Sequence, residues 1–221
     1  MASAEFTSLL SQHIGSAFAK QIAFADFLGD HTWNVNISEG VASFGERSFP
    51  MQLLGTEAEG DATWLWAWAN EGSNLPNALL HACQELRTLG ERTGVPELVD
   101  PCFPSEVADG HAIALVASGL NPTCCYYRGP YEGGALFFLV CDAPDEVTRP
   151  VAAERIPAIF MGGISHFEIN HRHMAESFLK TQGFDLDVSD LLMIATRDGQ
   201  SLTLSFDDLG RIEKVDTTIG Q

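Results

Sequence analysis

The sequence predicts an α+β fold, a mainly antiparallel sheet covered by helices, on three observations. Residues 4–28 carry apolar side chains at helical spacing: Phe6, Leu9, Leu10, Ile14, Ala17, Phe18, Ile22, Ala25 and Leu28 fall on or near one stripe. Residues 31–56 then change to a period of two broken by turn residues, and residues 191–216 do the same. Between them, Ala62-Thr63-Trp64-Leu65-Trp66-Ala67-Trp68-Ala69-Asn70 sets three of the chain's four tryptophans at alternate positions.

Each element has its own signal. Ser3 caps the first helix and Gly29 stops it. Residues 31–37, 41–45 and 48–56 read as strands, with Gly40 and Glu46-Arg47 as turns. Residues 57–61 are a polar turn, so 48–56 and 62–70 form an antiparallel hairpin. A loop over 70–74 leads into a helix over about 75–92, with Pro76 in the first turn, where a missing N–H is harmless. The apolar run 112–117 fits helix or strand. Residues 123–128 and 134–142 make a second hairpin across a Gly-Pro turn. Residues 147–164 are helical in pattern, kinked or split at Pro157. Residues 168–182 form another helix, and 191–197, 201–207 and 210–216 close the chain as three strands. Hairpin then helix occurs at 48–92 and again at 123–164. That echo reads either as an internal duplication or as a simple way to cover a sheet. No linker or low-complexity segment interrupts the chain, so residues 1–221 are expected to form a single domain.

In a strand over 62–70, Trp64, Trp66 and Trp68 line one face and Thr63, Leu65, Ala67 and Ala69 the other. Both faces are apolar, which marks a strand covered on both sides. The reading it favours is a central core strand. The competing one is an aromatic platform on which a sugar or base stacks.

Thirty acidic residues against twelve basic ones give a net charge of −18 and a pI near 4.5. That balance argues against nucleic acid and against an anionic membrane surface, since both need clustered Lys and Arg. It suits a small molecule, a cation or a basic protein partner. No basic start, continuous apolar run and cleavage site marks a signal peptide, and no stretch approaches the roughly 20 apolar residues of a membrane span. Cys83, Cys102, Cys124, Cys125 and Cys141 are odd in number and scattered, which points to reduced thiols in a cytoplasm. Cys124 and Cys125, as neighbours on a strand, face opposite sides and do not suit a disulfide with each other.

Signatures of chemistry are weak. His166, His171 and His173 form H-x4-H-x-H with Glu168 between them, and metal sites favour such side chains. On a helix, however, His171 points away from the other two, and useful pairs lie three or four apart. No metal and no cofactor is expected. G-x-S-x-G, P-loop and dinucleotide fingerprints are missing. If there is a site, its expected place is where the Trp strand runs into the loop, lined by Trp68, Asn70, Glu71 and Asn74. A rigid strand fixes its last residues, and a helix starting near Asn74 would offer free N–H groups to an anion or a carbonyl. The alternative is that Asn70 merely satisfies backbone groups in the turn.

Thr63-Trp64-Leu65-Trp66-Ala67-Trp68-Ala69-Asn70 after Leu54-Gly55-Thr56, with Leu86-Arg87, Glu97-Leu98 and the closing Phe206-Asp207-Asp208-Leu209-Gly210-Arg211-Ile212, resembles an uncharacterised bacterial domain-of-unknown-function family. Its hallmark is a Trp-x-Trp-Ala-Trp-Ala-Asn strand, and the likeness runs over most of the chain. It implies no activity and carries no catalytic residue. The functional expectation is therefore a non-enzymatic cytoplasmic binding or interaction protein, acidic and suited to a basic protein partner. The alternative is a small-molecule or carbohydrate-acting enzyme with a pocket beside the Trp strand.

Overall fold

The first helix, α1 (Ala4–Leu28), is the axis of the helical layer in the computed structural model, which describes residues 1–218. The Ser3 hydroxyl accepts from the Phe6 N–H at its start, and Gly29, at φ 59°, ends it. Its buried stripe runs through Phe6, Leu10, Ile14, Ala17 and Leu28 as the spacing predicts, but Phe24 completes it where Ala25 was expected. Two polar side chains, Ser11 and Lys20, also lie on the buried side.

The other helices are α2 (His81–Thr93), α3 (Gly110–Leu120), α4 (Asp145–Thr148), α5 (Ile156–His166) and α6 (His171–Thr181). The run 112–117 is thus helix: the Asp109 carboxylate caps it by accepting from the Ala112 N–H at 2.7 Å. The helical pattern over 147–164, expected to be kinked or split, is split. Pro157 sits in the first turn of α5, so it starts that helix and does not bend it. α1 packs against α3, α5 and α6.

Among the described residues the strands form two antiparallel sheets. The larger contains β1 (Trp33–Asn36), β2 (Val41–Phe44), β3 (Arg47–Ala58), β4 (Thr63–Trp66), β5 (Cys102–Pro104), β6 (Cys125–Tyr131) and β7 (Gly134–Val140). The smaller is a meander of β8 (Asp185–Val188), β9 (Leu192–Arg197), β10 (Gln200–Phe206) and β11 (Ile212–Thr218). Sequence periodicity found neither β5 nor β8. Both are short, and their partners define them.

β3 organises the larger sheet. Its first residues pair with β2, its last with β4, and β7 runs beside residues 51–58. The switch falls at Pro50, which has no N–H to donate to a ladder. The Pro50 carbonyl accepts from Cys141, while the Met51 N–H donates to Gly40. One peptide's N–H and C=O point opposite ways, so β2 and β7 lie on opposite edges of β3.

The Trp strand is shorter than its alternation suggests. β4 ends at Trp66, and Ala67–Ala69 is a 3-10 turn. Trp64 and Trp66 are fully buried on one face, which meets the core expectation. Trp68 is not on the strand and is only half-buried, and the opposite face, Thr63 and Leu65, is half-buried too. The stop has a physical cause. β3 bulges between Leu53 and Gly55, so no regular partner stands beside Ala67, and on the other edge the Trp66 N–H continues the ladder to β5 by one bond, to the Pro101 carbonyl at 3.1 Å.

The expected helix over 75–92 is also revised. Residues 77–79 form a 3-10 turn, and α2 starts at His81. The Gln52 side chain, on β3, donates to the Ala78 carbonyl and accepts from the Ala82 N–H, so a tertiary contact fixes where the helix begins. The two hairpin-then-helix units are not equivalent in space, since α2 packs on β3 whereas α5 packs on α1. One hydrophobic core cluster includes residues from both sheets and from α1, α2, α3, α5 and α6. Among the described residues, no helix is long and apolar enough to cross a membrane.

Candidate functional site

The four residues expected to line a site after the Trp strand come out as a tight turn. The Asn70 side-chain oxygen accepts from the Ser73 N–H at 3.2 Å, so its acceptor serves the backbone. Glu71 is exposed in a 3-10 turn, and Asn74 takes left-handed backbone at φ 45°. No α-helix starts at Asn74; the free N–H groups of α2 lie seven residues later, at His81. The Trp68 ring is already engaged by the protein. It stacks on Trp66 at 6.4 Å and 22°, and the Arg87 guanidinium lies 4.4 Å above it. Its indole N–H is buried without an acceptor among the described residues.

The three histidines are apart as well. His166 ends α5 with Nδ1 on the Gly162 carbonyl, while His171 and His173 lie in the first turn of α6, beyond a break in the helix. Nδ1 of His171 accepts from the Ile212 N–H at 3.2 Å, tying α6 to β11. Accepting needs a lone pair, so this bond exists only for the neutral ring. Burial holds the His171 pKa below its ordinary value, helped by the Arg211 cation and opposed by Asp207. Burial lowers His13 in the same direction. With the folded pKa depressed, the unfolded chain takes protons first as pH falls below about 6.5. Stability is therefore expected to drop between pH 7.5 and 5.5 in urea unfolding, and His171→Gln is expected to flatten that slope. A slope unchanged in the variant would remove His171 from the account.

A concavity with a charged wall lies elsewhere. A cavity of about 780 Å³ opens between α1, the segment 146–155, α5, and Arg197 and Gln200 of the smaller sheet. Its wall contains Lys20, Arg149, Arg155 and Arg197, against the carboxylates of Glu146 and Glu154. Four of the twelve basic side chains of a chain with net charge −18 thus meet at one place.

These four cations are not equally free. Lys20 projects from α1 into the end of α3, and its ammonium donates to the carbonyls of Ser118 at 2.6 Å, Asn121 at 2.7 Å and Cys124 at 2.6 Å. A cation at a helix C-terminus is favourable. Burial lowers its pKa to about 8, so it remains charged at neutral pH. Arg197 donates to the carbonyls of Gln182 and Val151 and covers the Phe184 ring. Both are anchors: they shape the wall and add positive potential. Arg155 reaches Asp26 at 3.0 Å across an exposed pair. Among the described residues, the exposed Arg149 guanidinium has no hydrogen-bond or ion-pair partner. Arg149 and Arg155 therefore have donors left for a ligand.

The sequence carried one usable signal for this cavity. A lysine at position 20 falls on the apolar stripe of α1, three residues after Ala17 and four before Phe24. A cation on a buried face requires acceptors. The arginines are too far apart in the chain for spacing to join them.

No curated protein and no solved structure matches the chain. A family model matches residues 7–143, from α1 through β7. That stretch includes the Trp strand, Lys20 and the end of α3, whereas Arg149, Arg155 and Arg197 lie beyond it. Because the match covers more than half of the sequence, the chain belongs to the family of unknown function DUF6882.

Proposed function

We propose that this is a non-enzymatic, cytoplasmic binding protein whose cavity takes a small organic anion, a carboxylate or a phosphate ester. The observation that carries this reading is the gathering of Lys20, Arg149, Arg155 and Arg197 around one cavity in an otherwise acidic chain. A volume near 780 Å³ falls within the range of small-molecule sites, roughly 300–1,000 Å³. Acidic surroundings disfavour anions in general, so only a ligand that reaches the arginines gains. The five free cysteines support a reducing compartment.

The test is a thermal-shift and calorimetric screen with mono- and dicarboxylates and phosphate esters at low salt. A ligand that binds the folded state raises the melting temperature. The double variant Arg149→Ala, Arg155→Ala is expected to weaken binding at least tenfold, since a hydrogen bond to a charged group contributes about 1.5–3 kcal/mol. A screen in which no anion shifts the melting temperature at millimolar concentration overturns the proposal.

A second reading, an acidic partner for a basic protein, rests on charge. Six of the twelve basic side chains already pair with carboxylates of the chain: Arg87, Arg128, Arg155, Lys180, Arg211 and Lys214. The acidic excess is left unneutralised at the surface. Binding to a basic protein that weakens steeply with salt supports this reading, and salt-independent binding opposes it.

A further inference from the structure

β6 and β7 bring two cysteines face to face. Their ladder ends with Cys125 opposite Val140, and one step further Cys124 stands opposite Cys141. The Cys141 N–H donates to the Pro50 carbonyl, on the side of β3. It therefore points away from β6. The Cys124 N–H turns to Asn121, and the Cys124 carbonyl is held by Lys20 and by the Ser118 hydroxyl. Neither residue bonds the other through its backbone, so they form a non-hydrogen-bonded pair. Cα atoms in such pairs stand about 4.5 Å apart, with side chains closer than in the alternate pairs. That separation lies within the span of a disulfide, roughly 4.4–6.8 Å. The two thiols are near enough for each to shift the other's titration.

We propose that Cys124 and Cys141 are a redox site, closing reversibly to a cross-strand disulfide when the protein meets a hydroperoxide. The other thiols do not compete for this bond. Cys125 is fully buried and, as the next residue in the strand, faces the opposite side. Cys83 is buried in the core beside Leu80, and Cys102 is exposed on β5. The proposal is independent of the anion-binding reading, since it needs neither Arg149 nor Arg155.

The roles of the two sulfurs differ. Cys124 is the attacking thiolate: the neighbouring Cys141 thiol, with Thr123 and the Lys20 ammonium in support, holds its pKa below the ordinary thiol value. The same pairing pushes Cys141 up, so it stays protonated. At neutral pH Cys124 is then thiolate to a greater extent than the few per cent of an ordinary cysteine. In the first step the Cys124 sulfur attacks the peroxide. An S–O bond forms, the O–O bond breaks, and the leaving hydroxide or alkoxide takes a proton, giving a sulfenic acid and water or an alcohol. In the second step the Cys141 sulfur attacks the sulfenic sulfur, the S–O bond breaks, and water departs with the thiol proton. Two thiols lose two electrons and the peroxide gains them. A low-molecular-weight thiol restores the pair by exchange. Cys124 is buried and Cys141 half-buried, so a small oxidant is required.

The full chain, reduced and freed of reductant, is treated with hydrogen peroxide at equimolar to fivefold ratio. Two of its five thiols are expected to disappear and to return with dithiothreitol. Mass spectrometry of the non-reduced digest is expected to join Cys124 to Cys141, with fragment ions broken between Cys124 and Cys125 assigning the partner. Cys141→Ser is expected to stop at a Cys124 sulfenic acid that dimedone traps. The wild-type digest decides alone if the variant does not fold. Five unreacted thiols, a bond through Cys102 between two copies, or Cys124 oxidised without joining Cys141 overturns the proposal.

Discussion

Replacing Trp66 by alanine is expected to lower the unfolding free energy by about 3–5 kcal/mol, the range for removing a large aromatic side chain from a packed core. Trp66 is fully buried. Its ring meets Trp64 edge-on at 5.4 Å and carries Trp68 on one face, so its loss leaves a void that those rings cannot fill without leaving their own contacts. Its indole N–H donates to the Glu97 carbonyl at 3.0 Å. The Glu97 carboxylate in turn receives the Ser3 N–H at 2.5 Å and the Ser3 hydroxyl at 2.7 Å. Trp66 therefore also steadies the residue that holds the start of α1. Domains of this kind are stable by roughly 5–15 kcal/mol in all, so the variant keeps only part of that margin. Urea unfolding followed by circular dichroism measures it. Trp66→Phe, which retains most of the apolar area but has no N–H to donate, is expected to lose less than the alanine variant. A loss below about 1 kcal/mol for Trp66→Ala, the scale of an ordinary substitution, would refute its place in the core.

Where local pattern and tertiary partner agreed, the fold was legible. α1 has a long apolar stripe, a serine cap and a glycine stop, each favouring the same helix. The hairpins β3–β4 and β6–β7 and the final strands have period two and turn residues at their ends. Where the pattern was compatible with more than one partner, it misled. Trp68 keeps the alternation, but a strand continues only while a neighbour supplies acceptors and donors, and the bulge in β3 ends that supply at Trp66. β5 and β8 have three and four residues, too few for a period to show. α3 is buried over nearly its whole length and has no polar face to reveal its turn, although Asp109 before it was a usable cap signal.

The candidate site was less legible, for a related reason. For Asn70 the sequence favours a turn but leaves a ligand open, because its side chain has the same donors and acceptor for both. The geometry commits its oxygen to Ser73. The cavity near α1 draws Lys20 from one end of the chain and Arg149, Arg155 and Arg197 from the other, and no spacing rule connects residues that only the fold brings together. Cys124 and Cys141 were visible as cysteines but not as a pair, since pairing depends on the register of β6 against β7. Reading 124 against 141 requires knowing which strands are neighbours and which residue of each stands opposite which.

Gly55→Ala is expected to cost about 1–3 kcal/mol, and to fall at the upper end of that overpacking range. Gly55 has no positive φ, so the backbone does not call for glycine here; space does. It stands opposite Trp66 in the β3–β4 ladder, beneath the Trp64 ring. A methyl group at this position would lie 2.5 Å from Trp64 Cζ2 and 2.5 Å from the Leu65 carbonyl oxygen. The ring could tilt away at the expense of its contacts with Trp66 and Phe137, but the carbonyl belongs to β4 itself. Relief there requires the two strands to separate. Gly60→Ala is the control, since nothing lies within 4 Å of its added methyl and its φ is not positive. Its effect is expected to stay within about 0.5 kcal/mol. A double-mutant cycle with Trp64→Leu separates the two sources of strain. If the ring is the main obstacle, the double variant loses less than the sum of the single ones; if the carbonyl is, the losses add. Gly55→Ala unfolding at the wild-type urea midpoint would show that Trp64 does not lie over β3, and the core drawn around the Trp strand would have to be redrawn.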